Sequence, residues 1–179
     1  MKKLLIAAAL TFTAPAHALT IQVCTGEFAL CAASPTTPVP GQTITVNGKV
    51  FPLGVSVCPV LRGPALADMD LMNNSCAAPG KNQVWSLFQP RSSFPQAPTW
   101  ADTPAAFRKF TTTAAAGGGM SNMFSFPCTV RPKKVNGAKL ADCQGPMNES
   151  PTGVAVAAGT EVMTQSPAGA ADPVGGPTP

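Results

Sequence analysis

Six cysteines constrain the fold of this chain more than any other feature, because an even set of thiols behind an export signal is typical of disulfides. No C-x-x-C spacing occurs, and the only histidine lies in the export signal itself, so neither a redox motif nor a histidine-containing zinc site is predicted. Six cysteines allow fifteen pairings, and proximity along the chain favours bonds between neighbours. We therefore predict three structural bridges and no metal site: Cys24 with Cys31, Cys58 with Cys76, and Cys128 with Cys143.

The first residues, "MKKLLIAAALTFTAPAHALT", have the pattern of a secretory signal peptide. Two lysines precede an apolar run from Leu4 to Ala14, and the small residues of Ala16-His17-Ala18 follow, so cleavage is expected after Ala18. The apolar run is shorter than the ~20 residues that a membrane-spanning helix needs. We therefore expect a periplasmic or secreted protein without a transmembrane segment.

The remaining chain is long enough for one domain. Removing 18 of 179 residues leaves 161, which can bury an ordinary core. Residues 166–179 are rich in Pro, Gly and Ala and offer too little apolar surface to offset the entropy of ordering. We predict a single disulfide-stabilised domain at 19–165 and a disordered tail at 166–179.

Charge and composition exclude several functions. Without Lys2 and Lys3, ten basic residues face eight acidic ones, and a net charge of +2 is too weak to indicate nucleic acid or an anionic membrane as the partner. The densest basic stretch, "RPKK" at 131–134, is interpreted as a solvated hairpin tip. With His17 lost and no tyrosine in the chain, Ser-His-Asp catalysis, Cys-His catalysis and haem ligation by histidine are excluded, and no cofactor is predicted.

Two Asn-Gly pairs predict β-hairpins, since a type I′ turn needs positive φ at both central residues. In "TITVNGKVF", a two-residue turn at Asn47-Gly48 places Ile44 opposite Phe51. Pro52 cannot donate a ladder hydrogen bond, so it is expected to end its strand or to lie on an edge.

The second hairpin can be tested against its cysteines. A regular two-residue turn at Asn136-Gly137 would leave Cys128 diagonal to Cys143, too far for a disulfide, which needs a Cβ separation of ~3.5–4.5 Å. The hairpin must therefore contain a longer loop or a bulge at Pro132.

The other segments predict a β-rich α+β fold of antiparallel hairpins with one or two short helices. A helix is expected from Pro64 to Asn73, with Ala65, Met69 and Met72 on one face, and another after Pro104 with Phe107 and Phe110 three residues apart. "NQVWSLFQP", residues 82–90, predicts a strand, and the segment before residue 165 predicts one more. The spacings Met69-x-x-Met72 and Met120-x-x-Met123 could suit copper, but without histidine or a free thiol they indicate core packing.

Aromatic residues supply the candidate binding surface, because they dominate interface hot spots and stack on sugar rings. The alternative is that the tryptophans are simply core residues. The candidates are Trp85, Phe88, Arg91, Phe94 and Trp100.

The leading functional hypothesis is an exported, non-catalytic binding or structural module of the bacterial envelope or extracellular space, with a protein or glycan partner. One alternative is a carboxylate-dependent glycan hydrolase, which needs two carboxylates ~5–9.5 Å apart among Glu27, Asp68, Asp70, Asp142 and Glu149. Another is an inhibitor of a secreted hydrolase, acting through the proline-rich loop at 91–98.

Overall fold

The computed structural model describes residues 20–88, 108–112, 120–149, 156–164 and 175–177. Within these ranges the chain is β-rich, with one short 3-10 turn at Cys31–Ala33 and no α-helix. The described residues contain no helix that could span a membrane. The strands are β1 Ile21–Ala29, β2 Thr36–Val46, β3 Lys49–Asp68, β4 Gln83–Ser86, β5 Arg108–Thr111, β6 Pro127–Val130, β7 Leu140–Pro146, β8 Glu161–Thr164 and β9 Gly175–Pro177.

The first Asn-Gly pair forms the predicted hairpin between β2 and β3. Asn47 and Gly48 have φ of 48° and 76°, and Ile44 lies opposite Phe51 as expected. Pro52 does not end its strand, because β3 continues through it to Asp68; it does lie on an edge, just outside the residues of β3 that pair with β7. Pro52 pairs with Thr43 where the register of β2 breaks, so its missing N–H falls at an interruption of the ladder.

Five strands close into a ring. β1 runs antiparallel to the second half of β3 and parallel to β4, and the order β4, β6, β7, β3 then returns to β1 through antiparallel pairs. β2 pairs with the first half of β3 and lies outside the ring. A separate three-stranded sheet has the order β5, β8, β9.

Because successive side chains of a strand point to opposite faces, the strands contribute to two apolar clusters. All five ring strands contribute to the inner cluster, which the ring therefore encloses; its members include Ala29, Cys58, Val84, Cys128 and Ala141. The outer cluster packs on the other face of β1 and β3, and its members include Cys24, Phe28, Ala65, Met69 and Met72.

Two of the three predicted disulfide pairings were wrong. The bonds are Cys24–Cys76, Cys31–Cys58 and Cys128–Cys143, so only the last was predicted correctly. Cys24 belongs to the outer cluster and Cys31 to the inner one. Cys24 lies in β1 and Cys31 in the 3-10 turn that follows it. Because their side chains enter different clusters, each bonds a partner brought near by the fold.

The predicted helix at 64–73 was also wrong. The nine residues from Val60 to Asp68 pair with β1, and this cross-strand pairing overrides the local helical spacing. A turn follows, in which Met69 and Met72 are buried, so the methionines do pack in the core. Of the second predicted helix, Pro104 and Phe107 lie outside the described residues, whereas Phe110 lies in strand β5.

The second hairpin contains the predicted irregularity. Asn136 and Gly137 form a two-residue turn with φ of 48° and 81°, yet Cys128 lies opposite Cys143. Four residues at 131–134 face only two at 139–140, so the extra residues around Pro132 shift the register and allow the disulfide.

Strands β4 and β8 form where strands were expected. β9 lies within the segment predicted as a tail, and it pairs with β8. The proposed signal, residues 1–18, lies outside the described residues, and the division of the chain into signal, domain and tail stays a prediction.

Candidate binding groove

The predicted aromatic surface is only partly within the described residues. Arg91, Phe94 and Trp100 lie outside them. Phe88 is half-buried and stacks on Phe124, with ring centroids 4.7 Å apart and an interplanar angle of 16°, so it serves the core. Trp85 is half-buried against the outer cluster, and its indole N–H donates a 2.7 Å hydrogen bond to the carbonyl of Ala77.

Trp85 also lines a groove at one end of the ring. The cross-strand pair Glu27 and Arg62 lies just beyond the last pairs that β1 makes with β4 and β3 makes with β7. Both residues line two adjoining cavities, one of about 330 Å³ and one of about 480 Å³. We call these two cavities together the ring-end groove.

The smaller cavity lies between the β1–β3 ribbon and the tip of the β6–β7 hairpin. Lys134, Ala138 and Lys139 from the hairpin face Leu61 and Arg62 across it. The Asn136-Gly137 turn, the Cys128–Cys143 disulfide and a bidentate Arg131–Asp142 ion pair hold this hairpin in shape. The wall of the cavity is therefore fixed before any ligand arrives.

The larger cavity lies between β1 and the start of β4. Its lining includes Gly26, Cys76, Ala78, Gln83 and Trp85. Gly26 pairs with Gly63 across the two strands, and a Cβ at either position would meet open space. Gly26 therefore leaves bare backbone in the wall of the cavity that Trp85 also lines.

The groove is electropositive. Arg62, Lys134 and Lys139 line it together with one carboxylate, Glu27, which gives a formal charge of three minus one, or +2. Lys139 and Glu27 form an ion pair of 2.8 Å. Among the described residues, no ion pair engages Arg62 or Lys134. An anionic ligand would therefore find two cations that need not break an existing pair.

Two of the carboxylates proposed for a hydrolase already bind other groups of the protein. Asp68 is buried at the end of β3 and its Oδ1 accepts a 3.0 Å hydrogen bond from the amide of Asp70, while Asp142 is paired with Arg131. Desolvation by burial, and secondarily the charge of Asp70, raises the pKa of Asp68 above its usual range. Neither Asp68 nor Asp70 lines the ring-end groove, so the geometry gives no support to a hydrolytic pair there.

Glu149 is the most perturbed of the described acids. Its side chain is 2% exposed, and its Oε2 has no hydrogen-bond partner among the described residues. Desolvation raises its pKa from 4.5 to about 7, although the charge of Lys49 acts in the opposite direction. It does not line the groove.

The cysteine sulfurs do not make a metal centre. Sγ atoms of Cys31, Cys128 and Cys143 lie within 4.8 Å of one another, but each is in a disulfide. A disulfide sulfur lacks the thiolate charge that binds metal ions. The cluster instead fills the interior of the ring.

Sequence reasoning found Trp85 but missed the charged residues of the groove. Lys139 follows the Asn-Gly turn that the sequence indicates, and the "RPKK" stretch at 131–134 belongs to the same hairpin. The basic residues on the hairpin side of the groove could therefore have been predicted from the sequence. The sequence suggested Glu27 only as a possible hydrolytic carboxylate, and nothing local pointed to Arg62 or to its pairing with Glu27.

No protein family, curated protein or solved structure matches the chain.

Proposed function

We propose that the protein is an exported, non-catalytic binding module that holds an acidic glycan in the ring-end groove. The observation that carries the proposal is the groove itself, in which Arg62 lines both cavities, Lys134 the smaller one and Trp85 the larger one, on a frame held by disulfides. The combined cavities have the size of ordinary ligand sites. Three disulfides support an oxidising compartment such as the periplasm or the cell exterior.

Each part of the groove suits one part of an acidic sugar. The guanidinium of Arg62 can bind a carboxylate with two parallel hydrogen bonds. The indole of Trp85 offers an apolar surface to a sugar ring, and the amide of Gln83 can exchange hydrogen bonds with hydroxyls. An acidic peptide would use the cations but would have less use for the aromatic surface and the amide, so a glycan is the better fit.

The test is isothermal titration calorimetry with trigalacturonate, with neutral maltotriose and a short polyglutamate peptide for comparison. We expect trigalacturonate to bind and to weaken at high salt, and maltotriose not to bind measurably. Arg62→Gln should reduce affinity at least tenfold, because a charge-assisted hydrogen bond contributes about 1.5–3 kcal/mol. Lys109→Gln is the matched control, since Lys109 is an exposed cation in the other sheet.

The outcomes separate the alternatives. Tighter binding of polyglutamate than of trigalacturonate would indicate a protein partner, and equal loss in Lys109→Gln would indicate diffuse charge attraction rather than a site. Absence of binding by both anions would overturn the proposal. Release of shortened sugars from trigalacturonate would replace a binding function with hydrolysis.

A further inference from the structure

The three disulfides differ in their access to solvent. The four cysteines of the ring interior, Cys31, Cys58, Cys128 and Cys143, are at most 1% exposed. Cys24 is buried as well, but its partner Cys76 is exposed and lines the larger cavity of the groove. Thiol–disulfide exchange requires a thiolate to reach a sulfur atom, so Cys76 is the open point of attack among the described cysteines.

Cys76 lies in a segment that has few other attachments. We call residues 73–82 the Cys76 segment; all of them are exposed except the half-buried Pro79. Buried Met72 precedes it and strand β4 follows it. Among the described residues, three hydrogen bonds tie it to β4 and β6: Trp85 donates to the carbonyl of Ala77, the amide of Gln83 donates to Gly80, and the amide of Val130 donates to Asn82 at its end. At its start, the amides of Asn74 and Ser75 donate to the carbonyls of Met69 and Met72.

We propose that Cys76 is a site of thiol–disulfide exchange for a small dithiol or a dithiol protein, and that exchange there releases the Cys76 segment from the groove. A thiolate attacks Sγ of Cys76, forms a mixed disulfide and displaces Cys24 as a thiolate, which takes up a proton. The second thiol of the reductant, once deprotonated, attacks the mixed disulfide and frees Cys76. The protein disulfide gains two electrons and two protons, and the dithiol becomes a disulfide.

Opening this bond changes the groove, while the other two disulfides continue to hold the ring. Cys76 and Ala78 form part of the wall of the larger cavity, and the Ala77 carbonyl anchors the indole of Trp85. The remaining disulfides, Cys31–Cys58 and Cys128–Cys143, lie inside the ring. The effect on ligand affinity rests on the function proposed above, whereas the exchange reaction does not.

Partial reduction of the native protein tests the exchange. The protein is titrated with dithiothreitol, quenched in acid, denatured, alkylated and mapped by peptide mass spectrometry. We expect Cys24 and Cys76 to be alkylated together at reductant concentrations that leave the other four cysteines oxidised. Simultaneous reduction of all three bonds, earlier reduction of an interior bond, or no reduction short of unfolding would each overturn the proposal.

Tryptophan fluorescence tests the release of the segment. In a Trp100→Phe protein, Trp85 is the remaining tryptophan, and selective reduction should shift its emission to longer wavelength as the Ala77 contact is lost. Unchanged emission after alkylation at both cysteines would overturn the structural part. If the segment is released but trigalacturonate never bound the oxidised protein, the proposed function fails and the exchange site stands.

Discussion

Glu149 gives a pH dependence that belongs to a single residue. Its pKa rises from 4.5 to about 7 in the folded protein because burial disfavours the carboxylate. The folded state therefore holds a proton that the unfolded state has lost between these values, and its stability decreases as pH rises through this window. At about 1.4 kcal/mol per pKa unit, the rise from 4.5 to about 7 corresponds to a loss on the order of 3 kcal/mol.

Glu149→Gln is expected to flatten this dependence, since glutamine does not ionise. The measurement is the free energy of unfolding by urea at pH 5 and pH 8, compared between wild type and variant. Burial also raises the pKa of Asp68, so the difference between the two proteins, rather than the slope of either, isolates Glu149. Glu161→Gln, which changes an exposed carboxylate, is the control and should show the same pH dependence as wild type. If Glu149→Gln also shows the wild-type dependence, the assignment to Glu149 is contradicted.

At the same scale, the sequence suggested Trp85 as a binding residue, but it did not indicate that charged residues share its groove, and the reason is physical. Trp85 is conspicuous in any sequence of this composition. Glu27 and Lys139 pair across 112 residues, and Glu27 and Arg62 meet only because β1 aligns with the second half of β3. Their proximity is a property of strand pairing, which no local pattern encodes.

Elements were predictable where their geometry is local. Both Asn-Gly turns have the positive φ values that those residues tolerate, and the disulfide requirement located the irregularity near Pro132. The segment 64–73 shows the opposite case: of the residues spaced for a helix, Ala65 lies in strand β3, and Met69 and Met72 lie in the turn after it. Pairing with β1 supplies backbone hydrogen bonds through Asp68, and the buried methionines pack from a turn instead.

Strand β7 depends on a glycine at one position. A Cβ on Gly145 would overlap the backbone carbonyl oxygen of Asn122 and lie 2.8 Å from Sδ of Met123. Gly145→Ala should therefore lower the free energy of unfolding by about 1–3 kcal/mol or more, because the carbonyl cannot move aside as a side chain could. Urea denaturation measures the change.

Gly80→Ala is the matched control for this prediction. A Cβ there would meet the end of the flexible Gln83 side chain, 2.6 Å from Oε1, so the side chain can rotate away and the change should stay within about 0.5 kcal/mol. Similar effects of the two substitutions would show that the contact of β7 with the segment at Asn122 is not tightly packed.

For the whole molecule, β-rich character and the presence of disulfides were predictable, but the ring was not. Alternating apolar residues and turn signals indicate strands, whereas closure requires β1 to contact both the second half of β3 and β4, and both are distant from β1 in the chain. The same closure decides which cysteines meet: Cys31 reaches Cys58 because β1 ends beside β3. Disulfide connectivity followed the topology rather than sequence proximity.

The ring is weakest at the seam where β1 meets β4, and we expect it to open there first. β1 joins β4 through two parallel residue pairs. The antiparallel seams have three pairs each between β4 and β6 and between β6 and β7, seven between β3 and β7 and nine between β1 and β3, and parallel pairs are slightly less stable per residue. Sub-global opening follows the least stable contacts. The amide of Leu87, which donates across the seam to Ala29, should therefore exchange with solvent faster than that of Val60, which donates to Lys139 in the β3–β7 seam.

Native-state hydrogen exchange by NMR measures both amides in one sample, and each tenfold difference in protection corresponds to about 1.4 kcal/mol of opening free energy. We expect Leu87 to have the lower opening free energy and urea to leave it nearly unchanged, since a local opening exposes little surface. Leu87 is 4% exposed in the outer cluster, whereas Val60 is half-buried, so simple surface access would give the opposite order of exchange rates. Equal opening free energies with the full urea dependence would mean that the ring opens only as a unit, and that two strand pairs together with the Cys24–Cys76 bond close it as firmly as the longer ladders do.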